Sequence, residues 1–254
     1  MSNSKLVDVV IKSPHNGGKK THIIDTITPH CVVGQATAEG IGNCFTGTRV
    51  ASCNYGIGTE GRIVLCVDED KVSYCSSDSQ GYTSNDNRAV TIECASDSFY
   101  PYKMNSKVYN KLVKLCVDIC KRNNIKKLLF LGDKQKTLSY TPKKGEAVLT
   151  AHRWFSSKEC PGDWLYSRYG ELAKEVTSKL SGSKKESSNT SKKTYKNGDV
   201  IKLKDGATYY DGKKIPSWVF KSTLYYRGKN SNGVIFSTQK TGAVTGVVKE
   251  SSIK

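Results

Sequence analysis

Two stretches of the chain repeat apolar residues at the spacing of a helix with one buried face. In the first, which begins near Ser106 and ends at about Asn123, the apolar positions form one stripe and Lys and Arg cover the opposite side. Ser106 is the expected N-cap of this helix. The second helix is predicted from Trp164 to Leu180, and a shorter one near 37–45.

Short β-branched or apolar runs alternate with these helices and have the composition of strands. The strand candidates lie at 5–11, 62–67, 89–95 and 127–131. Because strands and helices are interleaved, the pattern predicts an α/β domain in which helices cover a mixed central sheet.

The segment 181–193 is rich in Ser and Lys and contains no apolar residue. Such a sequence cannot bury a core, which predicts a flexible linker. After it no helical pattern remains, and short strand candidates are typical of a small all-β barrel of about five or six strands. These candidates lie at 200–203, 208–210, 222–227, 233–237 and 246–249. The predicted organisation is an α/β domain over 1–180, the linker over 181–193 and an all-β domain over 194–254.

The formal net charge of the 254-residue chain is +17, and the excess is uneven. Beyond residue 180, fifteen Lys and Arg face five Asp and Glu, so this shorter part carries +10. Such a balance predicts a polyanionic partner, and nucleic acid, anionic wall polymers and membrane surfaces all fit it. No run approaches the length of apolar residues that a membrane span needs, which argues against a transmembrane protein.

Nine cysteines all lie at or before residue 160. Their odd number and the lack of paired CxxC spacings argue against a disulfide framework and against a zinc finger. Most are therefore expected to be small buried apolar residues of a reduced protein. The first ten residues lack the apolar core of a signal peptide, which predicts synthesis in the cytosol.

Imidazole and thiol groups occur close together near the end of the first domain. His152, Lys158 and Cys160 share one short segment, and His30 lies far upstream. Imidazole and thiolate are preferred zinc ligands, and three protein ligands leave a fourth position open for water or substrate. Pro161 disfavours helical backbone at Cys160 and so favours an extended turn. From the residues alone two interpretations stay open, a catalytic metal site or a buried cysteine with unrelated histidines.

Three further residues offer groups that such a site uses, and each has a plainer explanation. Glu93, in an otherwise apolar strand, is either a general base or an exposed residue of an edge strand. Tyr55 offers a phenol hydroxyl to substrate or belongs to the core. Lys158 offers a cation for developing negative charge or is simply solvated.

Taken together, these residues resemble zinc-dependent N-acetylmuramoyl-L-alanine amidases of the amidase-2 type, which are related in fold to peptidoglycan-recognition proteins. The matching stretches occupy 25–30, 52–63, 86–93 and 152–162, in the order of the family. The likeness is closest to endolysins of phages that infect Gram-positive, particularly clostridial, bacteria. One departure is Tyr74-Cys75-Ser76-Ser77, where relatives often have Trp-His-Ala-Gly.

The resemblance implies a cofactor, Zn²⁺, and a set of catalytic groups. In these relatives a carboxylate and a lysine are catalytic, and in part of the family a tyrosine lies near the metal. Carried over, the zinc ligands are His30, His152 and Cys160, and the catalytic groups are Glu93, Lys158 and Tyr55.

The C-terminal segment looks like a bacterial SH3-type wall-binding module, through 215–219, 222–225 and 240–246. A basic, tyrosine-rich small barrel can stack aromatic rings on sugars or stem peptides and attract anionic wall polymers. The expected partner is therefore Gram-positive peptidoglycan rather than nucleic acid or a membrane. The alternative is a stabilising or dimerising appendage.

The expected function is that of an endolysin, a zinc-dependent peptidoglycan hydrolase that cleaves the amide between N-acetylmuramic acid and L-alanine. Such an enzyme is expected to be made in the host cytoplasm and to reach the wall after holin- or lysis-dependent release. The alternatives are a non-catalytic peptidoglycan-recognition protein, a host-encoded autolysin of the same chemistry, and a nucleic-acid binder suggested by charge alone.

Overall fold

The computed structural model describes residues 3–181, 195–230 and 232–253. The chain divides into two compact units, Met1–Lys184 and Lys185–Lys254. Apart from Ser181, the predicted linker 181–193 lies outside the described residues, so its flexibility stays a prediction.

A seven-stranded sheet forms the centre of the first unit, in the order β1-β4-β3-β5-β2-β7-β6. Every neighbouring pair is parallel except β3 and β4, so the sheet is mixed, as predicted. The two central strands, β2 and β5, are almost completely buried. The strands are β1 Val9–Val10, β2 Thr26–Cys31, β3 Tyr55–Ile57, β4 Ile63–Leu65, β5 Ala89–Cys94, β6 Lys127–Leu129 and β7 Glu146–Leu149.

Helices cover this sheet and bury the faces that the apolar pattern marks. The longest helix, α3, buries Val108, Leu112 and Ile119 on one stripe and packs against α6. The helices are α1 Ala38–Asn43, α2 Asn85–Arg88, α3 Ser106–Arg122, α4 Lys134–Leu138, α5 Asp163–Tyr166 and α6 Tyr169–Leu180, with a 3₁₀ turn at His152–Trp154. The predicted α/β class is therefore confirmed.

Two details of the predicted helices are wrong. Asn105, not Ser106, caps α3, because its side-chain oxygen accepts a hydrogen bond from the Val108 amide at 3.0 Å. The predicted helix from Trp164 to Leu180 is broken into α5 and α6. At the break, Arg168 has φ −98° and ψ 0°, outside helical values, while its guanidinium lies over the Trp164 ring.

The second unit contains an antiparallel sheet in the order β11-β10-β9-β8. The strands are β8 Val200–Ile201, β9 Leu224–Asn230, β10 Gly233–Ser237 and β11 Gly246–Val248. The predicted small all-β sheet is confirmed, whereas its closure into an SH3-type barrel stays a prediction.

Two local predictions for this unit are wrong. In place of the predicted strand at 208–210, Thr208 and Tyr209 form isolated bridges. A short helix, α7 at Ser217–Lys221, occurs where none was expected. It buries a single residue, Val219, which is too little to give a helical pattern, and Pro216 fixes the backbone at its start.

The cysteines of the described chain are all unpaired, and most are buried in the apolar core, as expected. None of the described helices is both long and apolar enough to span a membrane.

Candidate active site

Parallel pairing places the first two site residues side by side at one edge of the sheet. β2 and β5 are in register over six residue pairs, and one of these pairs is His30 with Glu93. Both side chains lie near the carboxyl ends of their strands, where groups from parallel neighbours converge. The Nδ1 atom of His30 is 3.9 Å from Oε1 of Glu93.

The segment after β7 brings the other two expected ligands to the same place. β7 pairs with β2 on the side away from β5, and the chain then enters the 3₁₀ turn that begins at His152. The Arg153 amide donates to the carbonyl of Cys160 at 3.0 Å and closes the loop between the two ligands. Cys160 Sγ lies 3.3 Å from Nδ1 of His30, and the two imidazole centroids are 5.0 Å apart.

These three side chains fit a zinc ion. One donor atom from each of His30, His152 and Cys160 lies within 4.8 Å of the others. Burial is the main cause that lowers the pKa of both imidazoles, so they are neutral and have free lone pairs. Two imidazoles and one thiol make a catalytic zinc donor set, with one coordination position left for water or substrate.

Glu93 has the character of a reactive carboxylate. Burial raises its pKa to about 7, against which the Cys75 thiol and the charge of Arg49 act weakly. Its Oε2 atom is buried and has no hydrogen-bond partner among the described residues. Since buried polar atoms are normally paired, this oxygen marks a position for a ligand, a water or a substrate group.

The loop at Cys75, Ser76 and Ser77 completes the site. The sequence marked this stretch only as a departure from the family pattern and gave its residues no role. The hydroxyl of Ser76 lies 3.4 Å from Nε2 of His30, and that of Ser77 lies 3.4 Å from Nε2 of His152. These contacts help to orient both rings and leave Nδ1 of His30 to face Cys160 and Glu93. Cys75 Sγ is 3.8 Å from Glu93 Oε1, and Cys75 forms a second possible donor set with His30 and Glu93.

A buried polar network holds this loop against the sheet. One carboxylate oxygen of Asp86 accepts the amides of Cys75 and Ser76, each at 2.9 Å. The Asn85 amide donates to Ser76 and to Thr28 of β2, while Thr150 donates to Asn85 at 2.8 Å. The loop, β2 and the end of β7 are thus joined by hydrogen bonds that are largely sheltered from water.

Lys158 is exposed and lies beside the ligands rather than among them. Its positive charge contributes, after burial, to the lowered pKa of His152. It shares a surface groove with Arg153, the neighbour of His152. The structure therefore places this cation close enough to influence charge at the site.

Tyr55 is the one expected site residue that the structure does not bring to this cluster. β3 pairs with β5 so that Gly56 lies opposite Glu93, while Tyr55 lies opposite Ile92 and points to the other face. Its hydroxyl donates to Glu69 at 2.7 Å and accepts the Ser4 amide at 2.9 Å. The expected role of Tyr55 beside the metal is corrected to that of a hydrogen-bonded core residue.

The sequence profile of the Amidase_2 family, described as N-acetylmuramoyl-L-alanine amidase, matches residues 20–163. The match covers more than half of the chain and contains every residue of the cluster. The chain therefore belongs to the N-acetylmuramoyl-L-alanine amidase family. Comparison with curated proteins finds no match.

Several solved structures are similar to this chain at low sequence identity. The structure of PlyL is 17% identical, with a TM-score of 0.47, and covers 68% of this chain and 97% of its own. The catalytic domain of XlyA is 14% identical, with a TM-score of 0.46 and coverage of 66% and 98%. The endolysin N-acetylmuramoyl-L-alanine amidase LysCS from Clostridium intestinale URNW is 15% identical, with a TM-score of 0.42 and coverage of 69% and 97%.

The position of Tyr55 gives a test that separates a core role from a catalytic one. Tyr55→Phe deprives the Ser4 amide of its acceptor, which we expect to lower the free energy of unfolding by about 1–2 kcal/mol. Bound metal per chain and kcat should stay at the wild-type values. Denaturant unfolding, metal analysis and turnover check this, and a large fall in kcat with unchanged stability would return Tyr55 to the site.

Proposed function

We propose that this protein is a zinc-dependent hydrolase of peptidoglycan that cleaves the amide between the lactyl group of N-acetylmuramic acid and L-alanine. The observation that carries the proposal is the convergence of His30, His152 and Cys160 on the buried carboxylate of Glu93, inside the region that matches the amidase family. A complete donor set with an adjacent base favours hydrolysis over a protein that only binds muropeptides.

The proposed metal site uses His30, His152 and Cys160 as ligands. A bound zinc ion supplies a Lewis acid that polarises the scissile carbonyl and makes an attacking water more acidic. The serine hydroxyls of Ser76 and Ser77 support this site by orienting the imidazoles.

Glu93 is the proposed general base and, in the second half of the reaction, the general acid. It takes a proton from the attacking water and gives one to the leaving amine nitrogen. A pKa of about 7 suits both steps, because the group gains and loses a proton readily near neutral pH. Its buried, unpaired Oε2 atom leaves an acceptor available for this transfer.

Lys158 is the proposed stabiliser of the negative charge that develops on the carbonyl oxygen. Its exposed side chain is free to move toward bound substrate, and its charge already acts on His152. The attraction between a cation at this position and the developing negative charge becomes stronger when bound substrate excludes water from the site.

The second unit is the proposed wall-binding module, and we propose the domain limits 1–180 and 194–254 with a linker at 181–193. The charge of the segment beyond residue 180 is +10. Within this unit, Tyr210 and Trp218 are large aromatic side chains that are exposed. Basic residues combined with exposed rings suit the sugars and anionic polymers of a Gram-positive wall.

The biological setting follows from the sequence resemblance and stays a prediction. It comprises an endolysin of a phage of Gram-positive, clostridial bacteria, synthesis in the host cytoplasm, and release by a holin or by lysis. A host-encoded autolysin with the same chemistry is the alternative origin.

Loss of a proposed ligand tests the metal site. Cys160→Ala and His30→Ala should each remove bound zinc and lower wall hydrolysis by more than about 100-fold, since even outer partners of a ligand are typically worth 10–100-fold. Metal analysis and release of new L-alanine amino ends, identified by mass spectrometry, provide the measurements. Chelation should abolish release by the wild type, and added zinc should restore it.

Cys44→Ala and His15→Ala are the matched controls for these variants, because the exposed Cys44 and the half-buried His15 both lie outside the cluster. They should keep zinc and activity. Full lysis by the metal-free Cys160→Ala protein would contradict the ligand assignment.

Replacement of the proposed base tests the proton transfer. Glu93→Gln should retain zinc but lose about 10²–10⁴-fold in kcat, because the amide cannot take the proton. Because burial raises the pKa of Glu93 from 4.5 to about 7, the fold loses stability as the pH rises between these values, and the full loss remains at alkaline pH. In the metal-free protein Glu93→Gln should therefore raise Tm at alkaline pH, with Glu171→Gln, at an exposed position of α6, as control. Unchanged turnover would remove Glu93 from the mechanism.

The targeting role is tested by comparing the full chain with a chain that ends at residue 181. On whole cell walls the shorter chain should bind less than the full chain. Because salt screens the charge of the second unit, the difference in binding between the two chains should become smaller as salt is added. On a small soluble muropeptide both chains should have the same kcat/KM. Equal sedimentation with walls at low salt would contradict targeting by the second unit.

A further inference from the structure

A surface groove with two tyrosines borders the candidate site, and apart from Lys158 the proposed reaction does not use it. Its volume is about 310 Å³, which is the size of a small-ligand pocket. We call it the tyrosine groove, and it is lined by Tyr100, Tyr102, Arg153, Lys158, Glu159 and Asp163.

The tyrosine groove is built on the same loop as two of the expected zinc ligands. Arg153 follows His152, Glu159 precedes Cys160, and the Arg153 amide bonds the Cys160 carbonyl at 3.0 Å. The turn that carries the tyrosines is fastened to this loop, since the Trp164 amide donates to the carbonyl of Pro101 at 3.1 Å. A molecule in the groove therefore lies next to the reacting centre.

Both tyrosine rings are held in place, the half-buried Tyr102 and also Tyr100, which faces solvent. The Tyr100 hydroxyl donates to Asp163 at 2.9 Å, and the Tyr102 hydroxyl donates to Glu159. The rings contact each other edge to face, with centroids 6.4 Å apart. Tyr100 is nevertheless 64% exposed. A ring that is fixed and open to water offers a flat apolar surface without the entropic cost of ordering it on binding.

Charged side chains with fixed orientations lie around these rings. Arg153 donates to Asp163 at 2.8 Å, and its guanidinium also lies over the Tyr166 ring, which fixes its plane. Carboxylate and guanidinium groups that are held in fixed planes can form hydrogen bonds with the hydroxyl groups of a ligand beside them. A pyranose presents both requirements at once, a flat C–H face for a ring and hydroxyls at its rim.

We propose that the tyrosine groove binds the glycan strand on the N-acetylmuramoyl side of the scissile amide, with Tyr100 stacked on a sugar ring. The inference rests on the proposed function, because that amide joins a glycan to a peptide. In the bound substrate both parts must extend away from the reacting centre, each along its own path. A separate groove of about 420 Å³ borders the same loop at Phe155 and is lined by the exposed Thr83 and Thr141, whose hydroxyl groups suit a peptide.

The test compares two substrates that carry the same stem peptide, one on a single N-acetylmuramoyl residue and one on a tetrasaccharide of the wall repeat. For the full chain, Tyr100→Ala should lower kcat/KM about tenfold more on the tetrasaccharide than on the single sugar, the size expected for loss of one stacking contact. Tyr100→Phe keeps the ring and should stay within about twofold of the wild type on both. The control Phe99→Ala removes a ring that is 68% exposed in the same turn but does not line the groove, and it should match the wild type.

Calorimetry with the peptide-free tetrasaccharide supplies a readout that needs no hydrolysis. Tyr100→Ala should bind it about tenfold more weakly than the wild type. Equal losses on both substrates, an effect of Phe99→Ala as large as that of Tyr100→Ala, or an altered preference for the stem peptide would overturn the glycan assignment. If the wild type cuts neither substrate but Tyr100→Ala still weakens tetrasaccharide binding, the proposed reaction fails and the groove assignment stands.

Discussion

The pairing of β2 with β5 is the constraint on which the candidate site depends. Their parallel register fixes His30 beside Glu93 through backbone hydrogen bonds alone, before any side-chain contact is considered. β7 then pairs with β2 on the side away from β5, and the chain that follows β7 leads directly to His152. Because side chains alternate between faces, a slip of one residue between these strands would separate the imidazole from the carboxylate.

Two buried carboxylates show how differently the same group is treated in this fold. Glu69 is fully paired, since its oxygens accept from Arg122, Asn123 and Tyr55. Glu93 receives one weak thiol contact and keeps an unpaired oxygen. The pairing of Glu69 stabilises the fold. For Glu93, the cost of removing the carboxylate from water is not offset by hydrogen bonds. If Glu93 is the base that we propose, this unfavourable environment is an example of stability given up for activity.

The sequence predicted the parts of the fold that have strong periodic patterns. α3 was predicted almost to its ends because seventeen residues alternate between a buried stripe and a charged face. β2 was missed because all six of its residues are buried and four of them are polar or proline, so it shows no alternation. β7 was missed for a related reason, since its last three residues are buried in succession and show no alternation.

The candidate site was predicted where a residue type has distinctive chemistry and was missed where it does not. His30, His152, Cys160 and Glu93 come together as the family resemblance implied. Ser76 and Ser77 were noted only as part of a stretch that departs from the family pattern, because a serine hydroxyl near an imidazole is a property of three-dimensional packing alone. Tyr55 was placed beside the metal by the family resemblance alone, whereas its register with Ile92 turns its side chain to the other face of the sheet.

The distance along the chain between His30 and Cys160 has a consequence for how long the protein survives. The two residues are 130 positions apart, and a metal held by both would act as a clasp between the second strand and the last loop of the unit. An ion that binds only the folded chain shifts the folding equilibrium in proportion to the logarithm of its free concentration. Scarcity of zinc would then make the chain more susceptible to proteases and would also remove its activity.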